Sequence, residues 1–113
     1  MESKRLVIKS KSVGEIVNYI NNDMKEYTIQ PSDNIRIFMS EKYYFRNNTQ
    51  LMTSLIFKIK DENNCVIDII AGGGDYGLFS SDWGAKKSRI KEIEDEIKSI
   101  CMDKGWEMNT IWT

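Results

Sequence analysis

Apolar residues along this chain repeat first at helical spacing, then at strand spacing, then at helical spacing again. Val13, Ile16, Val17, Ile20 and Met24 fall at i, i+3, i+4, i+7 and i+11, which is one stripe of a helix running to about Met24. Its start is marked by Ser12-Val13-Gly14-Glu15, the spacing of a capping box. There the serine hydroxyl accepts from the Glu15 N–H, and the glutamate carboxylate accepts from the Ser12 N–H. Ahead of it, Leu6-Val7-Ile8 predicts a short strand between Lys4-Arg5 and Lys9. Behind it, Ile29-Gln30 and Pro31, the only proline, read as a linker.

From Asp33 the period falls to two. Ile35, Ile37 and Met39 alternate with Arg36, Phe38 and Ser40, and Tyr43-Tyr44-Phe45 continues the strand composition. Arg46-Asn47-Asn48-Thr49 is turn chemistry. Leu51, Thr53, Leu55, Phe57 and Ile59 then share one face, and after the turn Asp61-Glu62-Asn63-Asn64 so do Cys65, Ile67, Ile69 and Ala71. Loops this short join antiparallel strands, because a parallel pair needs a long crossover. The middle of the chain is therefore a meander.

Gly72 to Gly84 reads as irregular, and a second helix is predicted from about Ala85 to Asp103 on Ile90, Ile93, Ile97, Ile100 and Cys101, with Ser81 or Asp82 as its cap. Glu92, Glu94, Asp95, Glu96, Lys91 and Lys98 form its expected solvated face, with Glu94 and Lys98 spaced as an i, i+4 pair. Gly105 is the natural stop. Trp106 to Trp112 alternates again and offers a closing edge strand.

The order is β-α-β-β-β-α with that optional last strand. It predicts an α+β two-layer sandwich: an antiparallel sheet of four or five strands with two helices on one face. The expected core is Val13, Ile16, Val17, Ile20, Leu55, Phe57, Ile67, Ile69, Ile93, Ile97 and Ile100.

Composition narrows the chemistry. With 113 residues the chain has room for one domain, residues 1–113. Sixteen basic against 17 acidic side chains leave a net charge of −1, which gives no field for nucleic acid or an anionic membrane. The aromatic and charged run Glu41-Lys42-Tyr43-Tyr44-Phe45-Arg46 therefore reads as core and surface pairing rather than a base-stacking platform. There is no histidine, which removes the commonest general base and zinc ligand. No Ser-x-x-Lys setting replaces it, so an enzyme is not favoured, and neither a cofactor nor a metal is expected. Cys65 and Cys101 sit in apolar patterns and read as buried reduced thiols of a cytoplasmic protein. The apolar stretch near the start is three residues long, short of a secretory core, and no run suits a membrane span.

One segment invites a ligand. Gly72, Gly74 and Gly77 formally match G-x-G-x-x-G after a strand, but the helix begins about ten residues later and the strands before it are antiparallel, unlike a dinucleotide unit. What stays open is a glycine-rich loop at Gly72, Gly73, Gly74, Asp75 and Gly77 whose backbone N–H groups approach an anion or small ligand, against a plain glycine bend. Asp75 and Asp82 lack calcium-loop spacing and read as turn and cap residues.

The strand Glu41 to Arg46, the Ala71-Gly72-Gly73-Gly74 turn and Trp83-Gly84-Ala85 before the last helix together resemble a domain-of-unknown-function family of small bacterial proteins. Lys86-Lys87 stand where members of that family often carry acidic residues. The resemblance implies a small cytoplasmic domain and brings no activity, ligand or catalytic residue.

Two functional classes follow: a non-catalytic interaction module that self-associates or docks an unidentified protein partner, or a small-ligand binder at the glycine loop with a hydrolytic or transfer role. Self-association is expected as a homodimer through the C-terminal edge, where Trp106 and Trp112 lie in a run with no lysine or proline to blunt it.

Overall fold

The computed structural model describes residues 2–23, 27–44, 49–75 and 85–112. The elements are β1 (Glu2–Lys9), α1 (Val13–Asp23), β2 (Tyr27–Ser32), β3 (Ile35–Tyr44), β4 (Thr49–Ile59), β5 (Asn64–Asp75), α2 (Ala85–Lys104) and β6 (Glu107–Trp112). The strands form one open antiparallel sheet in the order β2-β3-β4-β5-β1-β6. This is the α+β sandwich that the periodicity predicts, with one strand more than expected.

That extra strand is β2, read from sequence as a linker. Proline has no N–H to give a ladder, and β2 accommodates it by lying at the sheet edge, where it pairs with β3 alone. The register also shifts between Ile29 and Ser32, around Pro31, so the proline sits at an irregularity rather than in the ladder. Asp33-Asn34 then closes a two-residue hairpin into β3.

Alternating antiparallel pairs make β1 parallel to β2 and β5 parallel to β6, so both helices are crossovers. One buried cluster takes Val13, Ile16 and Ile20 from α1 and Ile90, Ile93, Ile97 and Cys101 from α2. Leu6, Ile8, Phe38, Leu55, Phe57, Cys65, Ile67, Ile69 and Ala71 complete it from one face of the sheet. Of the expected core, Val17 is only partly buried against the cluster and Ile100 lies half-exposed at the border of its stripe. The α1 start is held from outside the helix: Val13 N–H donates to the Glu62 carbonyl at 2.9 Å, and Asn63 Nδ2 donates to the Ser10 carbonyl at 2.9 Å. The turn between β4 and β5 thus clamps the passage from β1 into α1. The proposed caps Ser81 and Asp82 of α2 lie outside the described residues.

Gly105 ends α2 as its position predicts, at φ 71°. Its N–H donates to the Met102 carbonyl at 3.3 Å and the Trp106 N–H to the Cys101 carbonyl at 2.8 Å, the two bonds of a Schellman stop. A Cβ at that φ is strained, so Gly105→Ala is expected to cost about 1–2 kcal/mol in urea unfolding. An unchanged midpoint would contradict this role.

Candidate functional site

The predicted glycine loop is largely strand. Gly72, Gly73, Gly74 and Asp75 continue β5, paired in register with Met52, Leu51, Gln50 and Thr49, and Gly77 lies outside the described residues. The expectation that the irregular segment opens at Gly72 is corrected: a glycine strand is poor by propensity, but β4 runs far enough alongside to keep pairing it.

The terminal run is the expected edge strand, although it starts at Glu107. Trp106 precedes it and packs, partly buried, against the core beside the α2 stop, so this ring is not part of the free edge. Trp112 ends β6 opposite Lys4.

Both cysteines are buried thiols. Desolvation, with a smaller contribution from the Cys101 charge, pushes Cys65 up to about 12, and burial likewise raises Cys101. Neither supplies a thiolate near neutral pH. Among the described residues no group of three Cys, Asp or Glu side chains is placed to hold a metal ion, and no helix is long and apolar enough to cross a membrane.

Two polar clusters were not expected. On the helix-covered face, Lys4 and Glu94 are both buried, and Lys4 Nζ donates to Glu94 Oε1 at 2.9 Å while Thr110 Oγ1 donates to Oε2 at 2.9 Å. Desolvation pushes the Glu94 carboxyl upward, but the bonds from Lys4 and Thr110 and the Lys4 and Lys91 charges together hold it below its ordinary value. Glu94 therefore does not belong to the solvated helix face. Its spacing shows why: Ile90, Glu94, Ile97 and Cys101 form one stripe, so position 94 faces the sheet. The helix's exposed i, i+4 bridge is Lys91 to Asp95 at 3.1 Å.

The other cluster lies on the open face. Arg5 Nε donates to Asp68 Oδ1 at 2.6 Å, Nη2 donates to Oδ2 at 3.1 Å, and Lys58 Nζ stands 3.4 Å from Oδ2. The hydrogen bond from Arg5 holds the Asp68 carboxyl below the usual carboxylate range, against the opposing effect of its partial burial.

The rest of that open face carries a group of exposed large apolar side chains. The registers align its side chains in rows across the sheet. Ile35, Lys58, Val66, Val7 and Asn109 form one row. Ile29, Ile37, Ile56, Asp68, Arg5 and Ile111 form the next. Tyr27, Met39, Ser54, Ile70 and Ser3 form a third, and Glu41, Met52 and Gly72 a fourth. Among the described residues no helix joins this face to the core cluster. An antiparallel sheet with one face in water normally turns polar residues outward. Here Tyr27 is 58% exposed, Ile29 39%, Met52 44% and Ile111 49%, with Ile37, Met39, Ile56 and Ile70 between them half-exposed. A shallow hollow of about 260 Å³ lies at the end of this patch, lined by Tyr27, Met39, Ser40, Glu41 and Met52.

The alternation of β3 shows two unlike faces in the sequence, but not which of them turns inward. Phe38 goes in because it stands opposite Leu55 and makes an edge contact with Phe57, ring centroids 5.5 Å apart at 85°. Ile35, Ile37 and Met39 are consequently turned out.

No protein-family model matches the sequence, and no curated protein matches it significantly.

Proposed function

We propose that this protein is a non-catalytic interaction module that works through the open face of its sheet. The observation that carries the reading is the row pattern just described. Across β2, β3, β4 and β5 the outward positions are chiefly Ile, Met and Tyr, where a solvated antiparallel sheet would carry polar side chains. Four strands about 4.8 Å apart and three rows about 6.7 Å apart make a largely apolar face of roughly 400 Å², within the ~300–600 Å² of the largest, often functional, patch on a monomer. Reducing, cytoplasmic surroundings belong to this proposal, in keeping with two buried thiols.

The test compares an affinity-tagged wild type with a Tyr27→Lys/Ile37→Lys variant, both positions being on the open face outside the buried cluster. Proteins retained by the wild type, its own untagged chain included, are expected to be lost from the variant. Equal retention by both would overturn the reading.

A further inference from the structure

We infer that the open face is covered by a second copy of this chain, packed face to face about a two-fold axis that runs across the strands between the second and third rows. This inference rests on the interaction-module reading and names its partner. Three observations select a second copy.

The first is area. Six strands span roughly 29 Å, and the rows extend roughly 24 Å along them, so the whole face offers roughly 700 Å². That approaches the ~800 Å² per partner of a standard specific interface, and two copies together bury about 1,400 Å².

The second is shape. Ser54 is a small residue on β4, with Ile56 and Met52 as its neighbours along the strand face and Met39 and Ile70 beside it in its own row. Its side chain is the smallest of that group, so it stands lower than the large apolar groups around it. A two-fold across the strands exchanges the second and third rows, so Ile56 of each copy stands over Ser54 of the other. Large meets small twice by the same operation, which is the self-complementarity of an isologous interface.

The third is charge. Asp68 takes both Arg5 and Lys58, which leaves this side of the face with one excess positive charge. The same axis exchanges the first and fourth rows, setting Lys58 of one copy over Met52 of the other, one strand from Glu41, so the excess positive charge meets a negative one at the rim. A chain net charge of −1 adds little repulsion between copies.

Sedimentation equilibrium of the full chain through the micromolar range tests this. The wild type is expected at twice its chain mass. Ser54→Arg puts a long charged side chain where Ile56 of the other copy must stand and Met52→Lys charges an exposed position, and each is expected to weaken the dimer ~30-fold or more, the scale of an interface hot spot. Met102→Lys, on an exposed position of α2, is expected to leave it unchanged. Circular dichroism establishes that each variant is folded, and Met52→Lys alone decides the matter if Ser54→Arg is not. A wild type that stays monomeric at high micromolar concentration overturns the inference. So does a dimer indifferent to both substitutions, which would join instead at the β6 edge near Trp112. The module reading has its own readout: a different protein, retained by the wild type and lost from the Tyr27→Lys/Ile37→Lys variant, keeps that reading while a monomeric wild type removes this one.

Discussion

Lys4→Met is expected to lower stability by about 3 kcal/mol at neutral pH, the cost of leaving a buried carboxylate without its cation. Lys4 and Glu94 are 5% and 6% exposed, so water does not take over the lost contact, and Lys91 at 3.6 Å is a largely exposed substitute. The pH dependence follows from the sign of the shift. Glu94 is held below its unfolded value in the native protein, so its stabilising contribution is present above the unfolded glutamate range and disappears as pH falls through the lower folded value. In Lys4→Met the balance reverses. Burial now opposes the charged form, a neutral carboxyl is the cheaper buried species, and the deficit against wild type is expected to shrink on acidification. Urea unfolding at neutral and at mildly acidic pH measures both. The double change Lys4→Met/Glu94→Leu should recover most of the loss, since an apolar pair of similar volume is close to neutral there. Thr110, which is exposed, can turn its hydroxyl to water. A single-variant loss within the ~0.5 kcal/mol typical of surface changes would contradict the buried pair.

Phe57→Ala is expected to cost about 3–5 kcal/mol, the range for deleting a buried aromatic ring. Phe57 is fully buried on β4, flanked by Arg36 on β3 and Ile67 on β5, and it presents its ring to Phe38 edge-on. Its removal leaves a cavity at the centre of the sheet, where strands paired on both sides cannot close the gap. It also loosens the contact that keeps Phe38 inward. Thermal and urea unfolding check the loss, and Phe57→Leu should retain more than half of the stability that alanine forfeits. A cost for alanine below about 1 kcal/mol would mean that the centre of the sheet is not packed as described.

Most of the local structure was legible in the order of residues. The stripe from Val13 to Ile20 and the stripe from Ile90 to Cys101 follow the pitch of a helix, and the rows of Leu51 to Ile59 and Cys65 to Ala71 follow the pleat of a strand. Gly105 marks a helix stop through its own chemistry, and α1 begins directly after Ser12 as expected, although the Glu15 N–H donates to the Ser12 carbonyl rather than to its hydroxyl. The inward pointing of Lys4 and Glu94 was also present in the pattern, because each occupies an apolar row, although nothing local shows that one is the other's partner 90 residues away.

Only the tertiary structure decided the rest. Periodicity states that a strand has two unlike faces; what covers each face depends on strands brought alongside from elsewhere. Register against Leu55 turned Phe38 inward and Ile35, Ile37 and Met39 outward. Pairing with β3 made a strand of Tyr27 to Ser32 despite Pro31, and pairing with β4 carried β5 through three glycines. The insertion of β1 between β5 and β6 joined Lys4 to Glu94 and set Arg5 beside Asp68. The two described helices pack on the same face, and among the described residues no element covers the other. The candidate site is that uncovered face, and it exists only once long-range pairing has chosen the side on which the helices lie.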